Sequence, residues 1–213
     1  MFDWVLFADL GTAIGTTLLA VATFSSTRSA NRAARTAERA LMEGLRPILF
    51  PSRWSDPPQK IGFADGKWVV VAGGRVAIEV TPQVVYMVLS VRNAGRGVAV
   101  LHGWHMPVAR DAEHAAPEDF QRLTRDIYVP TDDAGFCQIA MRDLTSESAV
   151  RLTSRLEAHN STWVDVLYGD TEGAQRIISR FYIARGAAEI GHADEWILTV
   201  VRHWNLDLPA PRA

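Results

Sequence analysis

Cysteine and lysine are scarce in this chain, and net charge is nearly absent. Of 213 residues, one is cysteine, Cys137, so an intramolecular disulfide is excluded and the chain suits a reducing compartment. Lysine occurs only at Lys60 and Lys67; arginine supplies nearly all the positive charge. With Lys+Arg 22 against Asp+Glu 24, the formal net charge of -2 gives no global attraction to nucleic acid or to an acidic surface. Any basic function is therefore local. Missing too are GxSxG, HExxH, GxxxxGK[ST] and CxxC, which removes the commonest hydrolase, metalloprotease, nucleotide-binding and redox signatures. With 48% hydrophobic residues, the chain still has enough apolar side chain for a real core.

The longest apolar run comes first. "WVLFADLGTAIGTTLLAVATF", residues 4–24, carries one charge, Asp9. As a helix it would span about 31 Å, the thickness of a hydrocarbon core. The opening "MFDW" places an acid where a signal peptide needs positive charge, so an uncleaved anchor is expected. Gly11 and Gly15 form a GxxxG spacing, which would let two such helices approach closely and make a homo-oligomer. Directly behind the run, "STRSANRAARTAERALMEGLRP" sets Arg28, Arg32, Arg35, Arg39 and Arg46 within roughly 60° of one another on a helix axis, opposite an alanine face. No glycine or proline falls between Thr16 and Glu43, so anchor and stripe are expected to form one rod, ended by Gly44 and Pro47. Arginines on this side of the anchor assign the rest of the chain to the cytoplasm by the positive-inside rule, and they also suit anionic lipid headgroups. Nucleic acid is not an expected partner, because no aromatics are interleaved with the stripe.

After Pro47 the pattern changes to short β-branched and aromatic runs between turn residues. Strands are expected at 47–52, 67–72, 75–80, 84–93, 97–108, 125–130, 136–143, 161–170, 175–184 and 195–204. A helix is expected at 117–125, and 146–159 reads equally as helix or strand. Two hairpins are expected, one through "NAGRG" at 93–97 and one through "DTEG" at 170–173. The fold class is thus mainly β: a transmembrane helix over 1–26, an amphipathic juxtamembrane helix over 27–46, and an antiparallel immunoglobulin-like β-sandwich over 47–213.

His102 and His105 in "HGWH" are the first place to look for a metal, but i and i+3 on a strand face opposite ways, and no third ligand is in register. Asp132 and Asp133 lack the further oxygens that calcium needs. Cys137 sits in an apolar strand with no base partner, and no cofactor is expected. The strand tryptophans are expected to fill the core, with Trp204 near the terminus exposed for docking.

The anchor, the Arg46–Pro47 exit, "VRNAGRGVAV", "YGDTEGAQRIISRF" and "VVRHWNLDLPAPR" together resemble a group of bacterial single-pass membrane-anchored proteins of uncharacterised function. The "NAGRGVA" turn is similar to that of CARDB-type immunoglobulin-like domains of adhesion and scaffold proteins. The resemblance implies no catalytic residues. The expectation is a non-enzymatic interaction or scaffold module at the cell inner membrane, its partner protein unknown. The alternatives are a membrane-tethered hydrolase or metal-dependent enzyme, and an anionic-lipid or envelope-stress sensor working through the arginines.

Overall fold

The structure is a computed structural model that describes residues 4–186 and 195–209, with the side chains of residues 4–11 outside that description. The chain divides into two compact units, residues 1–44 and 45–213.

The first unit is one helix, α1 (Trp4–Gly44). It runs unbroken through "FSST", as the absence of glycine and proline there predicts. Its threonines satisfy their own hydroxyls: Thr16, Thr17, Thr23 and Thr27 each donate to the carbonyl four residues earlier at 2.7–2.9 Å. Ile14, Leu18, Leu19, Val21 and Phe24 are all exposed. Among the described residues no helix is long and apolar enough to cross a membrane. The first eight residues of the expected span, Asp9 and Gly11 among them, have side chains outside the described residues.

The second unit is mainly antiparallel β. Its strands are β1 (Leu49–Pro51), β2 (Gln59–Gly62), β3 (Trp68–Val71), β4 (Arg75–Val80), β5 (Val85–Asn93), β6 (Ala99–His105), β7 (Gln121–Arg122), β8 (Tyr128–Val129), β9 (Ala134–Met141), β10 (Thr162–Gly169), β11 (Arg176–Arg185) and β12 (Trp196–Asn205). One helix, α2 (Glu147–Glu157), lies between β9 and β10. Strand β9 pairs along almost all of β5, so β4 and β1 share the other edge of β5 in succession. The sheet continues from β4 through β12, β11 and β10 to β6, whose far edge takes β7 and β8. Its two ends, β8 and β9, are consecutive in the chain and touch, so the sheet curls toward closure.

That curl gives the main core one inner face. Met87, Leu89 and Val91 of β5 meet Cys137, Ile139 and Met141 of β9, Val164 and Val166 of β10, and Phe181 and Ile183 of β11. The apolar run "VVYMVL" is explained by burial on both sides. Val84, Tyr86 and Val88 face outward under the β2–β3 hairpin, where Ile61, Phe63, Val69 and Val71 cover them.

Residues 146–159 resolve as helix. Ser146 caps it, its hydroxyl accepting from the Ala149 amide, and Ala149 and Leu152 are buried in the core. Eleven residues are too few to hold a helix alone in water; burial of Leu152, about 2 kcal/mol, pins it.

Two expectations need correction, and one strand was missed. The helix expected at 117–125 is a single 3-10 turn, Pro117–Asp119, followed by β7, because the free edge of β6 offers Gln121 and Arg122 backbone partners at Trp104 and Gly103. Strand β2, "QKIG", has one apolar side chain and no alternation to mark it. The "DTEG" hairpin forms as β10–β11, with Gly169 opposite Arg176, but "NAGRG" makes no hairpin. Strand β5 pairs with β1, β4 and β9, and β6 with β7, β8 and β10, so the glycine segment arches from one part of the sheet to another.

Across β10 and β11 lies a fully buried ion pair. Arg180 grips both carboxylate oxygens of Asp165 at 2.7 Å, and its remaining amino group donates to the carbonyls of Arg110 (2.7 Å) and Ala112 (2.6 Å). The pair therefore ties the long β6–β7 connection to the sheet. Removing one partner strands a buried charge, so Arg180→Met should lower the unfolding free energy by about 3–5 kcal/mol. Arg180→Met combined with Asp165→Leu should be less damaging than the single change, as read by urea denaturation. A double variant no better than the single would assign the stabilisation to the carbonyl contacts instead.

Candidate functional site

Arg28, Arg32, Arg35 and Arg39 lie on α1 and are exposed. Gly15 has open space around it, with nothing within 4 Å of where a Cβ would stand, while Gly11 lies outside the described side chains. Arg46 is a different case. The helix has ended at Gly44, and Arg46 is 8% exposed, its guanidinium donating to Asp207 at 2.6 and 3.0 Å and to Asn205 at 3.4 Å. It is a structural cation of the β unit and does not continue the stripe.

Around Arg46 the segments behind the resemblance meet. Asn93, fully buried, donates from Nδ2 to the carbonyls of Gly97 (2.6 Å) and Val129 (3.1 Å) and accepts at Oδ1 from the amides of Gly95 (3.0 Å) and Ile48 (3.2 Å). The glycines serve close approach. A Cβ at Gly95 would collide with the Arg46 carbonyl, and one at Gly97 with the Leu45 carbonyl. "NAGRG" is thus a clasp around residues 45–48. Beneath it, the Leu49 amide donates to the Tyr168 hydroxyl (3.1 Å), which meets Ser179 Oγ (2.9 Å), which meets His203 Nδ1 (2.6 Å). The signals lay in the motifs, but no spacing rule linked positions 46, 93, 179, 203 and 207.

A serine and a histidine at 2.6 Å invite a catalytic reading, yet Ser179 is fully buried, and among the described residues no carboxylate is bonded to the histidine. The pair closes a structural relay. Burial pushes the His203 pKa down, favouring the neutral ring, and burial alone lifts the Cys137 thiol to about 12, leaving it no nucleophile at neutral pH.

His102 and His105 part company on β6. His105 sits opposite Asp165 in register and against the Phe120 ring at 5.7 Å, and burial lowers its pKa. His102 opens instead into a cleft of about 670 Å³ with Arg122, Arg176 and Glu118. Among the described residues no three His, Cys, Asp or Glu side chains group for a metal. Asp132 pairs with Arg92 at 2.6 Å, and Asp170 accepts from the Gln175 amide at the β10–β11 corner.

The tryptophans differ from expectation. Trp104 is core, but Trp54 and Trp68 are about half exposed, and Trp204, expected to be free, is half-buried between Arg180 and Arg202, whose guanidiniums stand 4.9 and 5.1 Å from its ring. Arg75 over Trp54, Lys60 over Trp68, Arg155 over Trp163 and Arg185 over Trp196 repeat the arrangement. Each cation covers one face of an indole ring.

Comparison with family models, with curated proteins and with solved structures finds no match to this chain.

Gly95→Ala should destabilise the β unit by about 1–3 kcal/mol, because its methyl meets backbone that cannot rotate away. Ala94→Gly, its neighbour, should cost far less; equal midpoints in urea for both variants would reject the clasp. The histidines set an acid dependence. Their folded pKa values lie below the ordinary 6.5, so the unfolded chain takes up protons first. This stability is complete above about pH 6.5 and is lost as pH falls through the folded values. Asp207, held below its ordinary 3.8 chiefly by Arg46, adds a loss in the same direction at lower pH. Melting temperature should therefore drop between pH 7.5 and 5, and His203→Gln should flatten the curve; a pH-independent melt would overturn this assignment.

Proposed function

We propose that this chain is a membrane-tethered, non-enzymatic interaction module: residues 4–24 cross the inner membrane once, the arginine stripe stays on the cytoplasmic side, and the β unit is an immunoglobulin-like sandwich held near the bilayer. What carries the reading is α1. Its apolar residues from Ile14 to Phe24 face outward together, which water tolerates poorly, and its threonine hydroxyls are turned back onto the helix, as a hydrocarbon surround requires. Four exposed arginines begin one turn later. Tethering confers effective concentration, so weak contacts of the β unit with a membrane-proximal protein are strengthened without any new interface.

The sandwich refinement rests on the main core shared by both parts of the curled sheet, and the kinship with bacterial membrane-anchored proteins on the segments that converge at Arg46 and Asn93. Self-association through Gly11 and Gly15 belongs to the same proposal. The stripe gives the lipid-sensing alternative a specific footing, since arginines near an anionic surface contribute about 1 kcal/mol each. The hydrolase alternative finds no comparable support: Asp165 is committed to Arg180, and Asp170 to a hairpin corner.

The full chain should remain with membranes through an alkaline carbonate wash, and a reporter active only outside the cytoplasm, fused after Ala213, should stay dark. Exchange of Arg28, Arg32, Arg35 and Arg39 for glutamate should invert a fraction of molecules and light it. Recovery of the full chain in the soluble fraction would defeat the tether, and a bright unmodified fusion the orientation.

A further inference from the structure

The cleft beside β6 joins an apolar floor to a charged rim. Its floor is apolar: Leu101, Phe120, Leu123 and Leu167, each no more than 8% exposed, lie beneath it. Its rim carries the side chains of Arg122 on β7, Arg176 on β11 and His102 on β6. Six arginines of the β unit, Arg46, Arg75, Arg92, Arg142, Arg151 and Arg180, each reach a carboxylate at 2.6–2.8 Å. Among the described residues neither Arg122 nor Arg176 has an ion-pair partner, although Glu118 lines the same cleft and Asp207 accepts from the Arg176 backbone amide. Asp170 also acts on His102, so the rim sets two guanidiniums without ion pairs beside the carboxylates of Glu118 and Asp170.

We propose that this cleft binds an amphiphilic anion, a phosphate or carboxylate head held by Arg122 and Arg176 with its apolar body on the leucine and phenylalanine floor. Guanidinium forks match the oxygens of such a head, and His102 offers a neutral imidazole beside them. Burial, and then the Arg176 charge, lower the His102 pKa, so the ring contributes hydrogen bonds at neutral pH without adding a third charge. About 670 Å³ is within the range of small-ligand sites, and a floor that water wets poorly favours an apolar body over a bare inorganic ion. The head could belong to a bilayer lipid or to a free acyl amphiphile; the recognition chemistry is the same. The site needs no membrane anchor, so it stands apart from the tethering reading.

Octyl phosphate titrated calorimetrically into the full chain, held in a non-ionic amphipol, should saturate one site. Inorganic phosphate should bind at least tenfold more weakly, and so should octyl phosphate to the Arg122→Gln/Arg176→Gln variant. Both side chains are exposed, so that variant should keep its melting temperature; Arg53→Gln, an exposed arginine outside the cleft, should bind as the parent does. No saturation, or undiminished affinity in the double variant, overturns the site. Equal binding of inorganic phosphate overturns the amphiphile assignment. Displacement by phosphatidic acid, presented in nanodiscs around the full chain, assigns the head to the bilayer, and retained octyl phosphate binding assigns it to a free amphiphile.

Discussion

One buried amide organises the β unit. Asn93 uses both donors and both lone pairs of its side chain, while its backbone amide donates to Asp133 and its carbonyl accepts from Asp132. It thereby joins the chain's entry at Ile48, the arch at 93–97, and the turn that links β8 to β9. A buried amide is costly if any of these bonds is missing, since each orphaned group loses about 1–3 kcal/mol. The requirement is therefore for all the segments at once. That is how a small polar residue at the end of β5 sets where β1 lies and how the sheet's two ends come together.

Much of the architecture was legible in the sequence, because it rests on period and composition. The uninterrupted helix follows from alanine content and the lack of breakers, and nearly every strand from β-branched runs between turns. What stayed hidden depends on contacts between distant positions. "NAGRG" carries every local sign of a hairpin turn, and only the backbone of residues 45–48 lying against its glycines reveals a clasp. Arg46 has the helical phase of the stripe, but Gly44 ends the helix before it and Asp207, far away in sequence, claims it. The cleft was equally invisible, since His102, Arg122 and Arg176 come from three strands.

The preference for arginine over lysine gains a physical role in the fold. Planar guanidiniums lie over four tryptophan rings and make the bidentate pair at Asp165. A lysine ammonium could supply neither the flat contact nor the fork. The scarcity of lysine is, at these positions, part of the packing.

Among the described residues the β2–β3 hairpin pairs with no other strand. Side chains fasten it: the Ile61, Phe63, Val69 and Val71 cluster, the Tyr86 hydroxyl bonded to Asp65 at 2.8 Å, and the Lys67–Glu79 and Arg142–Asp65 ion pairs. Lifting it would break no rung of the main ladder. The domain therefore owns a flap whose detachment is thermodynamically separable from global unfolding, and beneath it waits a ready-made greasy strip, Val84 to Val88, kept from neighbours by a cover rather than by the fold itself.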